Sequence, residues 1–435
     1  MEDLLKKVTA LAKRRGFVFP GSEIYGGLAN TYDYGPLGTE LLRNLRNLWW
    51  EFFVTKRENI YGLETSVLMN PKVWEASGHV TGFTDTVKEC KSCHQRARED
   101  LLVGDNCPHC GASNWTEPKK FNLLFETKVG IVPENKSRVY LRGETAQGMF
   151  VDFKQVLDTF SPKLPFGLAQ VGKCFRNEIT QGQQVFRTLE FDLAEFEFFV
   201  KEAEWEKWFE YWKKEMEAFA KLLGVDQKKL RWRSHTKDEL SHYSKRTEDL
   251  EYEFPFGFKE WFGCAYRTDF DLKNHMEKSG VDLRYTDPQT QEKFIPHVIE
   301  PTFGLSRSLL VLLIDAYHED KDRVVLKLEP KLAPYKVAVF PLLANKPELI
   351  KLARGIFENL SKNMATAWDD NGNIGKRYRR QDEAGTPWCV TVDFDSLKNK
   401  DVTVRDRDTM KQERIKIAKL LSYFEEKLWK NLSLS

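Results

Sequence analysis

The 435-residue sequence predicts an α+β domain, in which an antiparallel sheet is flanked by helices, with a small zinc-ribbon insertion and a following α/β domain. Three observations support this. Residues 121–200 hold alternating strand-like runs, residues 88–117 hold two Cys-x2-Cys pairs, and strand and helix patterns alternate near the end of the chain. We therefore expect a first domain over 1–330, which carries the 88–117 insertion, and a second over 331–435.

Composition excludes several classes of protein. Hydrophobic residues make up 41% and charged residues 30% of the chain, which is typical of globular proteins. The longest aliphatic run, 309–314, is far too short to span a membrane, and the acidic start of the chain does not resemble a signal or transit peptide. The cytoplasm is therefore the expected location. The 67 basic and 65 acidic residues nearly cancel, so any surface for nucleic acid has to be a local patch.

Hydrophobic periodicity predicts the main helices. One begins at Pro36, which suits a first helical position, and an extended stretch then runs to Pro71. A second helix is predicted over 203–223, and a buried apolar helix follows an extended run within 295–317. The 203–223 helix places these large apolar side chains on or near one side: Trp205, Trp208, Phe209, Trp212, Met216 and Phe219.

Four of the seven cysteines form two closely spaced pairs, separated by thirteen residues. This spacing is close to that of tetrahedral zinc sites. We predict a structural site, because four protein ligands leave no open position for catalysis. Four reduced cysteines in a loop are the alternative, and the neighbouring His94 and His109 are less favoured ligands. The predicted ligands are Cys90, Cys93, Cys107 and Cys110.

An antiparallel hairpin with a long loop is predicted in the middle of the strand-rich region. Because side chains alternate along a strand, Arg187, Phe191 and Glu195 are expected to share one face. Arg176 and Glu178 share a face of the partner strand. Guanidiniums bind phosphate, a ring stacks on a base and a carboxylate accepts from an amine, so this surface suits a nucleotide. A solvated face with ion pairs is the alternative.

A buried helix is predicted to begin just after Gly304, with Arg307 in its first turn. The helix dipole disfavours a cation at this end. An anion there would satisfy both the guanidinium and the free backbone N–H groups, and a triphosphate fits this description. An arginine that reaches solvent from the helix start is the alternative.

These stretches resemble the signature motifs of class II aminoacyl-tRNA synthetases. Residues 37–71 resemble motif 1, the helix and strand of the dimer interface. Residues 175–191 resemble motif 2, and residues 304–307 with the apolar helix resemble motif 3. The resemblance implies the class II synthetase fold for the first domain.

Within this class the chain is similar to the dimeric glycyl-tRNA synthetases. The tail at 375–387 resembles the anticodon-binding domain of the class IIa subgroup, and its basic and aromatic residues at 376–380 suit contacts with RNA. A solvated charge run is the alternative for that cluster. The passages that carry the similarity in the first domain are 32–38, 141–148, 238–244, 267–272 and 298–301.

The resemblance implies ATP-dependent activation of glycine to glycyl-adenylate and transfer to the 3′ end of tRNA(Gly). It also implies Mg²⁺, structural Zn²⁺ and a homodimer formed through motif 1. Arg176 and Arg307 are the expected catalytic residues, and Arg267 lies in a matching motif. The expected ATP-binding residues are Arg176, Asn177, Glu178, Phe186, Arg187, Phe191, Glu260, Trp261, Gly304 and Arg307. The expected glycine-binding residues are Arg98, Glu144, Phe191, Glu195, Glu300, Thr302 and Gly304.

The sequence departs from the family pattern at some positions. Thr302 stands where the family often has serine, and Ser306 stands where an acid or glycine is commoner. Residues 180–183 replace an expected proline–arginine element, which bears on contacts with the tRNA end.

Three other functions are compatible with parts of the pattern. One is a class IIa synthetase for threonine, proline or histidine. Another is a non-catalytic synthetase-like protein that binds nucleic acid, although such a protein is expected to lose the phosphate-binding arginines. The third is a zinc-containing protein that binds some other nucleotide.

Overall fold

The computed structural model describes residues 2–99, 102, 104–131, 137–179, 184–320 and 323–429. Among these residues the helices are α1 (Glu2–Arg15), α2 (Pro36–Trp50), α3 (Pro71–Ala76), α4 (His79–Gly82), α5 (Ala146–Val151), α6 (Phe153–Phe160), α7 (Trp205–Leu222), α8 (Phe270–Ser279), α9 (Leu305–Ala316), α10 (Pro347–Ser361), α11 (Ile374–Ala384), α12 (Phe394–Asn399) and α13 (Leu420–Trp429). The strands of the first domain are β1 (Val18–Pro20), β2 (Tyr32–Tyr34), β3 (Ile60–Gly62), β4 (Thr84–Glu89), β5 (Arg96–Arg98), β6 (Lys119–Asn122), β7 (Glu126–Val129), β8 (Ser137–Tyr140), β9 (Phe166–Phe175), β10 (Glu190–Val200), β11 (Leu230–Ser234), β12 (Arg246–Phe254), β13 (Gly257–Thr268), β14 (Tyr285–Thr286), β15 (Lys293–Phe294), β16 (His297–Gly304), β17 (Tyr317–Asp320) and β18 (Arg323–Leu326). Those that follow are β19 (Val337–Pro341), β20 (Thr366–Trp368), β21 (Trp388–Val392), β22 (Asp401–Asp406) and β23 (Gln412–Lys416).

A seven-stranded sheet forms the centre of the first domain, in the order β11–β12–β13–β16–β10–β9–β3. Every neighbouring pair in this sheet is antiparallel except β3 with β9. The helices α2, α7 and α9 pack on it through one large apolar core. The predicted antiparallel sheet flanked by helices is therefore confirmed.

The side chains of β10 alternate between the two faces of this sheet. On one face, Phe196 and Phe198 pack against Trp212 of α7, with ring centroids 4.6 and 4.9 Å apart. On the other face, Glu195 and Glu197 are also buried. One face of β10 thus belongs to the apolar core, and the opposite face carries buried charges.

The predicted helices are confirmed in the structure. Pro36 is the first residue of α2, and a turn of π-helix at Glu51–Thr55 continues it. A Cβ at Gly38 would lie 1.9 Å from the carbonyl oxygen of Phe17, so only glycine lets α2 approach the preceding chain this closely. Both α7 and α9 form where periodicity places them. No helix within the described residues is long and apolar enough to cross a membrane.

The ends of the β9–β10 pair differ from the predicted hairpin. The two strands pair as expected, but β9 ends before Arg176 and Glu178, and β10 begins after Arg187. The prediction that these three residues lie on strand faces was therefore wrong. The reason is that the backbone leaves the sheet: the N–H of Asn177 donates to the carbonyl of Leu123, 2.8 Å away.

The cysteine-rich insertion carries its own three-stranded sheet, in the order β5–β4–β6. The first cysteine pair lies in the turn between β4 and β5, and the second lies between β5 and β6. Cys90 also forms an isolated antiparallel bridge with Trp115. The turns that hold the cysteines therefore share a framework with Arg98, the last residue of β5.

A second sheet lies near the end of the chain, in the order β20–β19–β21–β22–β23. Its first three strands are parallel and the last two pairs are antiparallel. Helices α10 and α13 pack on one face of the sheet, and α11 packs on the other. The strand and helix predicted at the start of this region are confirmed, but Phe394, expected in a strand, begins α12.

The basic cluster at 376–380 is largely engaged within this second region. Arg377 is buried and donates to the carbonyl oxygens of Asp370 and Gly372. Tyr378 forms a hydrogen bond with the Thr391 hydroxyl at 2.6 Å. These contacts favour a role for the cluster in holding the fold, in addition to any contact with RNA.

Candidate active site

A cavity of about 250 Å³ lies where the ends of β9 and β16, the start of β10 and the start of α9 meet. Its lining gathers residues that are far apart in the sequence. The predicted site residues that line it are Arg98, Arg176, Glu178, Phe186, Arg187, Phe191, Glu260, Thr302, Gly304 and Arg307. With Asp85 and Asp192, which also line the cavity, the surface combines four guanidiniums, four carboxylates and two aromatic rings.

Arg176 is held at the inner side of this cavity. Its Nε donates to the carbonyl oxygen of Gly143 at 3.0 Å, and its guanidinium lies 5.4 Å from the centre of the Phe191 ring. Burial opposes the charge, but Glu178 and Glu144 raise the pKa of Arg176 above its ordinary value. The guanidinium is therefore a fixed cation beside an aromatic face.

Two further arginines face carboxylates across the cavity. Arg187 lies 3.7 Å from Glu178, and Arg307 lies 3.1 Å from Glu260. Partial burial would raise the pKa of Glu260, but Arg307 and Arg187 hold it below its ordinary value. The Arg307 guanidinium also lies 4.6 Å from the centre of the Phe186 ring. The other two carboxylates of the lining are already paired, Asp85 with Arg98 and Asp192 with Arg46. Three guanidiniums, on Arg176, Arg187 and Arg307, thus remain with Glu178 and Glu260, so this part of the cavity suits an anion.

The start of α9 adds backbone donors to this positive surface. Gly304 is extended and precedes the helix, and Arg307 is the third helical residue. The first N–H groups of a helix have no intrahelical partner, and the helix dipole favours an anion beside them. Ser306, which departs from the family pattern, accepts from the Tyr34 hydroxyl at 2.7 Å and from the Asp192 N–H at 2.9 Å. It ties α9 to β2 and β10.

Two residues predicted to bind ATP do not line the cavity. The Trp261 side chain is fully buried in the core, and its N–H donates to Ser308 at 2.9 Å. Its carbonyl oxygen lies near Gly304, 4.0 Å from the position that a Cβ there would take. Asn177 borders a neighbouring cavity. The loop at 180–183 lies outside the described residues.

A buried cluster of acidic side chains, called the acidic pocket below, lies on the same face of the sheet and reaches the cavity where Glu195 pairs with Thr302. Glu144, Glu195 and Glu300 surround the fully buried Arg267. The Arg267 guanidinium donates to Glu300 at 2.8 Å and to both oxygens of Asp271 at 2.8 and 2.9 Å. It reaches Glu144 at 3.5 Å. One cation thus lies among carboxylates that it does not fully neutralise.

The acids of this pocket have different protonation behaviour. Burial would raise the pKa of Glu144, but His79 and Arg267 hold it well below the ordinary value. Burial raises the pKa of Glu300 to about 8, although Arg267 opposes the shift. Burial and the neighbouring Glu144 raise the pKa of Glu195, although it accepts hydrogen bonds from the Thr145 N–H, the Thr145 hydroxyl and the Ala146 N–H at 2.6 to 2.7 Å, which oppose the shift.

Sequence analysis missed the residues that orient Glu144. The Nε2 of His79 lies 3.2 Å from one Glu144 oxygen, and Gln147 donates to the other at 2.9 Å. Gln147 also donates to Asp271 and contacts His275. The position of Gln147 three residues after Glu144, in the same passage of family similarity, was a usable signal. The residues next to His79 in the sequence show no pattern that would predict its contact with Glu144.

The four predicted zinc ligands come together. Their sulfur atoms all lie within 4.8 Å of one another, with Cys90 and Cys110 at 3.6 Å and Cys93 and Cys107 at 3.7 Å. Four sulfurs held about 2.3 Å from a tetrahedral metal lie roughly 3.8 Å apart, so these distances fit zinc. His94 is 79% exposed and lies outside the cluster.

Comparison with known proteins agrees with this site. Residues 125–316 match the family model "tRNA synthetase class II core domain (G, H, P, S and T)", and residues 336–427 match "Anticodon binding domain". The chain is 50% identical to a glycine–tRNA ligase of Caldanaerobacter subterraneus subsp. tengcongensis over 98% of each chain. It is 49% identical to one of Alkaliphilus oremlandii, over 98% of this chain and 99% of that one, and 48% identical to one of Geobacillus thermodenitrificans over 98% of each. The chain therefore belongs to the glycine–tRNA ligase family of class II aminoacyl-tRNA synthetases.

Proposed function

We propose that this chain activates glycine with ATP to form glycyl-adenylate and transfers the glycyl group to the 3′ end of tRNA(Gly). The observation that carries this proposal is the junction of two sites. A cavity rich in guanidiniums, which suits the phosphates of ATP, adjoins a buried acidic pocket, which suits the ammonium group of an amino acid. Charging of tRNA takes place where ribosomes work, and on that ground we place the enzyme in the cytoplasm.

The ATP contacts follow from the positions of the arginines. We assign the α-phosphate and the glycine carboxylate to Arg176, which lies between the cavity and the pocket. Arg187 and Arg307 hold the outer phosphates, and the start of α9 adds N–H donors. Phe191, beside Arg176, stacks on adenine. The other residues assigned to ATP are Asn177, Glu178, Phe186, Glu260, Trp261 and Gly304, of which Trp261 acts through its backbone.

The acidic pocket receives glycine. Glu144, Glu195 and Glu300 surround the ammonium group, and Arg98 reaches the substrate from β5. Thr302, directly opposite Glu195 in the sheet, contributes a methyl group that narrows the pocket. A filled pocket excludes alanine by steric clash, which is the available basis for selecting an amino acid without a side chain.

The reacting bonds all form between substrates, so the protein needs no covalent bond to them. A glycine carboxylate oxygen attacks the α-phosphorus of ATP, and pyrophosphate leaves from that phosphorus. The 3′-hydroxyl of the tRNA terminal ribose then attacks the glycyl carbonyl, and AMP leaves. Positioning and charge stabilisation by Arg176 and Arg307 supply the acceleration.

Mg²⁺ is the metal that accompanies ATP in this reaction. Glu178 and Glu260 are the predicted site carboxylates in the cavity, and carboxylate oxygens are ligands that Mg²⁺ prefers. A bound ion would neutralise charge on the phosphates. At the four cysteines we propose Zn²⁺, which would hold the insertion together and take no part in the reaction.

We also propose that the enzyme is a homodimer formed through motif 1. The outer positions of α2 are mainly polar, but the loop between β1 and β2, which precedes motif 1 in the chain, exposes large apolar side chains. Ile24 and Tyr25 are each 87% exposed, and Leu28 is 61% exposed. An exposed apolar patch of this kind is typical of a protein–protein contact.

ATP–pyrophosphate exchange with a panel of amino acids tests the proposed function. Exchange is expected with glycine and not with alanine, serine, threonine, proline or histidine, and the purified chain is expected to charge tRNA(Gly). Exchange with another amino acid would assign the chain to a different specificity. No exchange with any amino acid, despite binding of tRNA, would indicate the non-catalytic alternative.

A further inference from the structure

Glu197 is a buried carboxyl group for which the proposed reaction provides no role. It lies in β10 two residues after Glu195, on the face of the sheet that carries the acidic pocket. In the β10–β16 register Glu195 pairs with Thr302 and Phe198 pairs with Ile299, which places Glu197 directly opposite Glu300. Glu197 has no exposed surface.

The acids of the pocket differ in how many hydrogen bonds they accept. Glu195 accepts three, and Glu144 accepts from Gln147 and Arg267. Glu300 accepts one from Arg267. Neither oxygen of Glu197 has a hydrogen-bond partner within the described residues. Glu197 therefore accepts the fewest hydrogen bonds of these four acids and is the least able to carry a charge.

The charged groups that face Glu197 come from every surrounding element. Glu300 lies on β16, Glu195 on β10 itself, Arg267 on β13 and Asp271 on α8. Its other neighbour in the sheet, Leu168 of β9, is apolar. Burial raises the pKa of Glu197 well above the ordinary value, and Glu300 adds to the shift. A buried carboxylate without donors costs enough free energy that the group takes up a proton instead.

We propose that Glu197 is a positioning residue of the ammonium pocket, and that as a neutral acid it donates its O–H across the strand pair to Glu300. The two carboxyl groups are not hydrogen-bonded to each other in the structure. Cross-strand neighbours have Cβ atoms about 5 Å apart, however, so a side-chain rotation or one bridging water would join them. This hydrogen bond holds Glu300 toward Arg267 and the substrate ammonium. The inference rests on the proposed function of the pocket.

A neutral Glu197 also limits the charge of the pocket. Five carboxyl groups close to one fully buried arginine cannot all be ionised, because like charges that share a site raise one another's pKa. A proton on Glu197 removes one negative charge from this cluster, and the raised pKa of Glu300, about 8, lowers the negative charge further near neutral pH. The residue therefore serves both orientation and charge balance.

Two variants separate this role from its alternatives. Glu197→Gln keeps a neutral donor, and its glycine KM in pyrophosphate exchange is expected to stay within about twofold of wild type. Glu197→Leu has no donor, and its glycine KM is expected to rise about tenfold or more, while its ATP KM stays unchanged. A rise with Glu197→Gln as large as that with Glu197→Leu would show that Glu197 acts as a charged counter-ion, and would overturn the proposal. An unchanged glycine KM with Glu197→Leu would also overturn it, since packing alone would then explain the residue.

Infrared spectroscopy of the full chain at neutral pH gives a readout that does not depend on activity. The wild type is expected to show the carbonyl-stretch band of protonated carboxylic acids, and Glu197→Gln is expected to lose part of its intensity, because Glu300, whose pKa is about 8, contributes to the same band. Absence of this difference would overturn the neutral state, even if Glu197→Leu failed to fold. If Glu197→Gln loses this intensity but the wild type shows no exchange with glycine, the proposed function fails and the protonation of Glu197 stands.

Discussion

Arg307 shows how the chemistry of one side chain depends on its surroundings. It combines a guanidinium, an adjacent aromatic ring and the N–H groups at a helix start, which together suit a phosphate. Arg307→Ala is expected to reduce pyrophosphate exchange about 10²–10³-fold, because it removes a fixed charge where negative charge develops. Arg354 is a matched control, since it lies 3.7 Å from the Trp368 ring in the second domain. Normal exchange by Arg307→Ala would contradict the phosphate role.

Glu144 is the acid whose partners are best defined. Glu144→Ala is expected to raise the glycine KM about 10²-fold or more and to leave the ATP KM nearly unchanged, because it removes one partner of a buried ion pair. Pyrophosphate exchange at varied glycine measures the effect. Glu144→Gln keeps the shape of the side chain and controls for loss of packing around His79 and Arg267. A glycine dependence equal to that of the wild type would remove Glu144 from the ammonium site.

At the scale of elements, the cysteine cluster positions β5. Arg98, at the end of β5, pairs with Asp85 of β4 at 2.7 Å and lines the cavity. Cys93→Ser is expected to release zinc and to raise the glycine KM, because structural zinc sites contribute much of the folding free energy of small metal-binding units. Metal analysis and exchange assays test both effects. Cys389→Ala, in a buried cysteine outside the cluster, is expected to keep both zinc and activity.

The segment that joins the two domains contains a buried lysine. Lys336 donates to the carbonyl oxygens of Lys331 and Ala333 at 2.6 and 2.7 Å, and burial lowers its pKa from 10.5 to about 7. Between these two values the unfolded chain binds more protons than the folded chain, so this residue makes stability rise with pH. Lys336→Met is expected to lose that increase. The Tm of both chains from pH 7 to 10 tests this, and parallel curves would contradict it.

At the scale of the whole molecule, the exposed loop between β1 and β2 predicts self-association. Replacing Ile24 and Tyr25 with glutamate is expected to halve the mass measured by light scattering, because charge at a buried apolar contact is costly. Phe160→Glu is the matched control, since Phe160 is also exposed but lies on α6. An unchanged mass for the double variant would exclude this loop from the dimer contact.

Sequence patterns predicted the positions of helices far better than the residues at which strands begin and end. Periodicity located α7 and α9 because each buries a continuous apolar surface, whatever the rest of the fold does. Periodicity wrongly placed Arg187 on a strand. The residue at which a strand leaves its sheet depends on whether its backbone groups find hydrogen-bond partners in other parts of the fold. Cysteine spacing predicted the metal cluster because two short turns determine most of its geometry.

The sequence by itself determined the α+β architecture, the four-cysteine cluster and, through family motifs, the residues expected to bind ATP and glycine. Only the tertiary structure placed His79 against Glu144, Arg267 among the acids and Glu197 opposite Glu300. The physical reason is the distance along the chain between the residues that interact. Periodicity and spacing report interactions between residues close in the chain, whereas the protonation of a buried acid depends on charges that long-range folding brings beside it.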